Sequence, residues 1–180
     1  MTGQSPIKLA LPDADATEVL GAALARALPR GPRPGAGAEV EGGTLVLYLH
    51  GELGAGKTTS VRSLLRALGV ERPIRSPTYT LVEVYEPGGL TCVHVDLYRL
   101  EGPLDVEALG LRDYLDHCLL LVEWPEKGGA ALPAADVHLT LSYDGESRLA
   151  GLQAASERGA QWLGDLSNDT SLMPYVSNLT

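Results

Sequence analysis

At 180 residues the chain has the length of one domain, able to bury about two thirds of the surface that its unfolded form exposes. Its 14 Lys plus Arg against 23 Asp plus Glu give a net charge of −9, which opposes unaided binding of a polyanion, so any nucleic acid is expected to be engaged through a partner. No charged start leads into a long apolar stretch, and runs such as Leu119 to Val122 are too short to span a bilayer, so a cytoplasmic protein without membrane contact is expected.

Taken in chain order, the first element is a helix. Asp15 can cap it, Glu18 stands three residues on, and Val19, Leu20, Ala23, Leu24 and Ala27 follow at helical spacing until Pro29. The stretch from Pro29 to Gly43 is rich in Pro and Gly and reads as an exposed loop of little fixed structure. An apolar run from Thr44 to Leu49 then predicts a buried strand. After Gly51-Glu52-Leu53-Gly54-Ala55-Gly56-Lys57-Thr58, apolar Val61, Leu64, Leu65 and Leu68 predict a second helix. Tyr79 to Tyr85 and Leu90 to Leu97 read as a hairpin turning at Pro87-Gly88-Gly89, and Leu104 to Leu115 as a helix. Leu119 to Val122 is all apolar, as expected of a central strand covered on both faces. Val137 to Tyr143 and Arg148 to Gln153 flank Asp144-Gly145 as a second hairpin. Beyond Trp162 the chain turns polar and reads as a frayed tail. These readings give an α/β chain, a three-layer fold with a mixed, partly parallel sheet, in which residues 1–163 form a single domain and 164–180 the tail.

The eight residues from Gly51 to Thr58 match G-x-x-x-x-G-K-[ST], the loop that wraps a nucleotide's phosphates, in the strand-before, helix-after setting which that loop requires. Glycines let backbone N–H groups turn inward, so several donors and the positive end of the helix converge on the anion. Lys57 is then expected to reach the β/γ-phosphates and the Thr58 hydroxyl to ligate Mg²⁺.

A P-loop alone binds phosphate, whereas hydrolysis needs a carboxylate at the end of a neighbouring strand. Asp96 and Glu123 each end an apolar run, the position where this architecture builds its sites; either acid could instead mark only where a strand meets solvent. Cys92, His94 and Asp96 share one strand face. Cys92 and Asp96 lie ~13 Å apart along the strand, too far for one ion, so His94 is read as a packed histidine near the site. Cys92 and Cys118 read as buried thiols rather than a disulfide. Trp124 leaves the strand at the site or is ordinary core, and Ser76-Pro77-Thr78-Tyr79-Thr80 is either a switch loop or a strand entry. Arg62, Arg66, Arg72 and Arg75 form a basic cluster in an acidic chain, read as a solvated helix face with a docking surface as the alternative. Asn168-Asp169-Thr170 and Asn178-Leu179-Thr180 match the glycosylation pattern only formally.

Four motifs in order, Gly51 to Thr59, Ser76-Pro77-Thr78-Tyr79-Thr80-Leu81-Val82, His94-Val95-Asp96-Leu97-Tyr98-Arg99-Leu100 and Val122-Glu123-Trp124-Pro125-Glu126, resemble the TsaE family, formerly YjeE, over about Asp13 to Leu141. The resemblance implies a P-loop ATPase that binds ATP with Mg²⁺. It also implies a complex with TsaB and TsaD, in which TsaD transfers threonylcarbamoyl to adenosine 37 of tRNAs reading codons that begin with A. Carried over by motif, Gly54, Ala55, Gly56, Lys57, Thr58 and Thr59 would hold the phosphates, Thr58 and Glu123 would serve Mg²⁺, and Asp96 would assist metal or water. Thr78 and Thr80 resemble the switch segment, and Asp13 and Thr17 sit where the family approaches the adenine. The loop from Pro29 to Gly43 is longer than the family usually has, and the tail after Trp162 has no match in it, so neither receives a role. A monomer is expected for the isolated chain. A small GTPase would need Asn-Lys-x-Asp, yet the only asparagines are Asn168 and Asn178, with no lysine beside either. A small-molecule kinase and a nucleotide-binding scaffold without turnover remain as alternatives.

Overall fold

The computed structural model describes residues 6–32, 38–40 and 42–177. Among the described residues, nine strands and four α-helices follow in the order β1 (Ile7–Leu11), α1 (Ala14–Arg26), β2 (Arg30–Pro32), β3 (Ala38–Val40), β4 (Leu45–His50), α2 (Lys57–Ala67), β5 (Val82–Tyr85), β6 (Cys92–Asp96), α3 (Pro103–Ala108), β7 (Leu119–Glu123), β8 (Val137–Asp144), β9 (Ser147–Ala154) and α4 (Glu157–Ser167). Seven of the strands form one sheet in the order β1-β9-β8-β4-β7-β6-β5. Its centre is parallel, β4 pairing with both β7 and β8 and β6 with β7, while β5, β9 and β1 join antiparallel. This is the mixed α/β sheet the sequence predicts, and β4, β6, β7 and β8 all point their carboxyl ends the same way.

Alternation along the strands sends Leu45, Leu47 and Leu49 of β4 to one core with α1 and α2, and Val46 to a second core with Val93, Val95, Leu120 and Val122. The β7 run is buried at every position, as its unbroken apolar character requires of a strand covered on both faces. Cys92 and Cys118 are free and buried, and burial pushes the Cys92 thiol up to about 12.

Four local readings change. Asp13, not Asp15, caps α1: its Oδ1 accepts from Ala16 N at 2.8 Å, which fixes the helix start two residues earlier than the capping-box pattern implies. The expected helix from Leu104 to Leu115 is α3 followed by a 3₁₀ turn at Leu111–Tyr114. Between them Gly110 takes a left-handed φ of 63°, which ends an α-helix. Within the expected loop at 29–43, β2 and β3 pair as an antiparallel ribbon; residues 33–37 and 41 lie outside the described residues.

The expected frayed tail is folded through Ser177. Ser156 caps α4, and Trp162, Leu163 and Leu166 bury one helical face, with Trp162 Nε1 donating to Leu24 O at 3.0 Å. A 3₁₀ turn at Thr170–Tyr175 follows, Leu172 is buried, and Arg26 Nε donates to Asp169 Oδ2 at 2.8 Å. Val176 bridges to Leu9, adding to the outer edge of β1. The polar composition from Asp165 to Ser171 hid a helix end and its caps. The formal glycosylation pattern at 178–180 lies outside the described residues.

Candidate nucleotide site

The parallel register decides what meets at the carboxyl end of the sheet. Asp96 of β6 and Glu123 of β7 stand side by side, and Glu123 is level with Leu49, two residues before the loop that leaves β4. The loop turns into α2 through Gly56 at φ 110°, a backbone conformation that side chains rarely adopt. That turn sets the amino end of α2 against the two acids.

Thr58 Oγ1 lies 2.9 Å from both carboxylate oxygens of Glu123. His94 Nε2 is hydrogen-bonded to Glu123 Oε1 at 2.8 Å, while its Nδ1 is buried without a partner. The packed histidine of the sequence reading therefore orients an acid of the site, by lying opposite Leu121 and reaching diagonally across the ladder. Asp96 is equally engaged: Thr78 Oγ1 donates to its Oδ2 at 2.9 Å, Ser76 Oγ at 3.2 Å, and Tyr98 N donates to Oδ1 at 2.9 Å. Ser76 and Thr78 thus attach their loop to the acid, whereas Thr80 is exposed and not among the residues lining the cavity.

Lys57 is 4% exposed, and its ammonium donates to Gly51 O at 2.6 Å and Glu52 O at 2.8 Å. It also sits 4.1 Å from the ring centroid of Trp124, so that tryptophan faces the site while also packing against the second core. Trp124 takes a left-handed φ of 60°, a strained conformation for a bulky residue, and packs at 5.0 Å against Tyr98. Burial pulls the Lys57 ammonium below its ordinary pKa, and the carboxylates of Glu123, Asp96 and Glu126 push it back up.

Two cavities flank the loop. The larger, about 210 Å³, is lined by Lys57, Thr58, Ser76, Thr78, Asp96 and Glu123 among others. Neither Arg75 nor Arg99 lines it; the Arg99 guanidinium lies 4.3 Å over the Tyr79 ring. The smaller, about 110 Å³, lies on the other side of Gly54, Ala55 and Gly56, and its walls include Asp13, Thr17, Thr59, Glu146 and Arg148. Asp13 and Thr17 reach it because α1 packs against α2, Ser63 Oγ donating to Glu18 O at 2.5 Å. Glu146 and Arg148 escaped the sequence reading. Glu146 lies in the turn of the β8–β9 hairpin and Arg148 near the start of β9, and β8 runs parallel to β4, so that turn projects at the loop's end of the sheet. Tyr143 Oη donates to Leu53 O at 2.8 Å and stacks under the Arg148 guanidinium at 4.0 Å, joining the hairpin to the loop.

Comparison with known proteins matches this arrangement to one family. The model for the threonylcarbamoyl adenosine biosynthesis protein TsaE matches residues 11–150. The chain belongs to the TsaE family. A relative from Haemophilus influenzae, named tRNA threonylcarbamoyladenosine biosynthesis protein TsaE, is 42% identical over 125 residues, 69% of this chain and 79% of the relative. One of the same name from Nostoc is 34% identical over 151 residues, 81% of this chain and 84% of the relative. The crystal structure of Bacillus subtilis YdiB is similar at a TM-score of 0.70 and 25% identity, covering 91% of this chain and 95% of that one. The resemblance read from the four motifs is borne out, and TsaE is a P-loop family of tRNA threonylcarbamoyladenosine biosynthesis. The family match ends at residue 150, before α4 and the segment that follows it. No helix among the described residues is long and apolar enough to cross a membrane.

Proposed function

We propose that the chain is a Mg²⁺-dependent ATPase that supports TsaB and TsaD in forming N6-threonylcarbamoyladenosine at position 37 of tRNAs reading codons that begin with A. In this reading it is cytoplasmic, monomeric when isolated, and reaches tRNA only through the assembled complex. The observation that carries it is the 2.9 Å approach of the Thr58 hydroxyl, at the start of the P-loop helix, to both oxygens of Glu123 at the neighbouring strand end.

Hydroxyl and carboxylate oxygens suit a hard cation. Among the described residues no three of His, Cys, Asp and Glu converge as a metal cage. Mg²⁺ at a nucleotide needs none, because it takes one or two carboxylates and completes its shell with phosphates and water. Thr58 and Glu123 would hold it, and when bound it would neutralise charge developing on the phosphates. Gly54 to Thr59 would present backbone donors to the phosphates. Lys57, released from the carbonyls of Gly51 and Glu52, would follow the γ-phosphoryl group. Asp96, gripped by Ser76 and Thr78, would assist the metal or the attacking water, and Asp13, Thr17 and Arg148 would border the nucleoside.

Among the described residues no arginine lines the phosphate cavity, so in this reading the guanidinium that compensates the transferring group would come from a partner. In related NTPases a second protein supplies that group, with gains of ~10³ to 10⁵ in rate. Slow hydrolysis by the chain alone and acceleration by TsaB with TsaD are therefore expected in steady-state assays. A rate unchanged by the partners would defeat the reading, and stimulation by tRNA alone would defeat the charge argument.

A further inference from the structure

The residues that follow α2 cross over the edge strand β5, and between them lies a third cavity of about 280 Å³, lined by Arg72, Pro73, Arg75, Glu83 and Tyr85. It shares no lining residue with either cavity of the nucleotide site. Its floor is set by the Arg72 guanidinium, which lies 4.1 Å over the Tyr85 ring and donates from Nη2 to Val84 O at 2.6 Å. That contact covers part of the open edge of β5 and holds the remaining donors of Arg72 at a fixed height. Arg62, reaching from α2, donates to Ile74 O at 3.3 Å and steadies the segment from the other side.

Two features of the cavity are unexplained by the fold. The Tyr85 side chain is 2% exposed, and although the Arg75 backbone N–H approaches its hydroxyl oxygen, the O–H itself finds no acceptor. Buried phenols are ordinarily paired, since an unmade hydrogen bond forfeits the hydration the group has lost. Arg75 is exposed and belongs to none of the ion pairs among the described residues, although the chain carries an excess of acids. The nearest counter-charge in the lining, Glu83, is taken at 3.6 Å by Arg72 in a half-exposed pair. Two guanidiniums and a phenol therefore face one space with donors unused and a single weakly held acid beside them.

We propose that this cavity is a phosphate-binding site, in which Arg72 and Arg75 hold the oxygens of a phosphate group and the Tyr85 hydroxyl donates to one of them. Planar guanidinium forks match the spacing of phosphate oxygens, and the tetrahedral spread of those oxygens lets them meet donors that converge from different directions. The excess of negative charge over the whole chain means that this local pair, not the bulk field, must supply the attraction. The group can come from a small phosphate ester or from the phosphodiester of an RNA strand.

Nuclear magnetic resonance on the full chain separates these cases, because the Nε–Hε groups of Arg72 and Arg75 and the Tyr85 ring are read independently of the P-loop. Inorganic phosphate should shift all three saturably with one dissociation constant, and sodium chloride at the same ionic strength should not. Arg75→Ala, a change at an exposed residue, should weaken binding about tenfold, the loss of one charge-assisted contact. Tyr85→Phe, which deletes only the hydroxyl, should weaken it by a smaller factor. A hexameric single-stranded RNA that shifts the same signals at lower concentration than phosphate assigns the phosphodiester; a response to phosphate without one to RNA assigns the small ester. Shifts that do not saturate, that chloride reproduces, or that persist with unchanged affinity in Arg75→Ala overturn the site.

Discussion

The two flanks of the P-loop are built differently. On one side, the acids, the lysine and the hydroxyls around them in the larger cavity are already committed: Thr58 and His94 hold Glu123, Ser76 and Thr78 hold Asp96, and Lys57 is tied to two carbonyls. On the other side, Asp13 is occupied as a helix cap, and the smaller cavity is closed by Arg148, whose stacking partner Tyr143 belongs to the same hairpin. The first flank comes from adjacent parallel strands, whose register leaves no freedom in where their last residues fall. The second is assembled from a helix start, a loop and a hairpin turn that only tertiary packing brings together. Chemistry is expected on the rigid flank and selectivity on the assembled one.

Substitutions can break that division. Lys57→Ala should have the largest effect, a loss of ~10³-fold or more in hydrolysis, because a charge matched to the transferring phosphoryl group acts in a water-poor site. Thermal unfolding should change little in this variant. If it turns over Mg-ATP at the parental rate with TsaB and TsaD present, the loop is not a catalytic P-loop.

Glu123→Gln and Asp96→Asn come next, each expected to lower activity by ~10²-fold, with the Glu123 change rescued in part by raised Mg²⁺ and the Asp96 change not. This split follows from the geometry, in which only Glu123 approaches the P-loop threonine. Equal rescue of both by Mg²⁺ would merge their roles, and full activity in either removes that residue from the site.

On the opposite flank, Arg148→Ala should raise the KM for ATP by roughly tenfold, about 1.4 kcal/mol, with kcat nearly unchanged. A fall in kcat of the same size would move Arg148 to the chemical step and erase the proposed distinction between the flanks.

The same contrast explains how far the sequence could be read. Loop, preceding strand and following helix were legible because G-x-x-x-x-G-K-[ST] fixes its own context, and Asp96 and Glu123 because apolar runs ending in an acid announce strand ends. His94 was seen, but its contact with Glu123 depends on which strand lies beside β6, and periodicity within one strand says nothing about its neighbour. Arg148 was invisible for the same reason at longer range. The folded segment after Trp162 was misread because composition was weighed over spacing: Trp162, Leu163 and Leu166 make a helical stripe, and Asp169 is a cap and ion-pair partner rather than a mark of disorder.

That segment sharpens the comparison at its weakest point, since it supports the assembled flank alone. Trp162 and Asp169 both fasten α1, the helix whose start carries Asp13 and Thr17. The Arg26 side chain beside Asp169 holds that carboxyl at about 2, below its ordinary value of 3.8. A depressed carboxyl pKa contributes stability that is complete above the unfolded value, near 3.8, and is lost as pH falls through about 2. Because Arg26 is half exposed, the pair is worth no more than about 1 kcal/mol. Asp169→Asn should therefore lower the unfolding free energy slightly at pH 5, and the gap between variant and parent should narrow as pH falls from 4 toward 2, as urea titrations at each pH would measure. Nucleotide affinity should fall with it by a small factor while the kcat of hydrolysis holds. A gap constant across that range would mean that the negative charge of Asp169, to which both Arg26 and the Ser171 donors are bound, contributes nothing to stability.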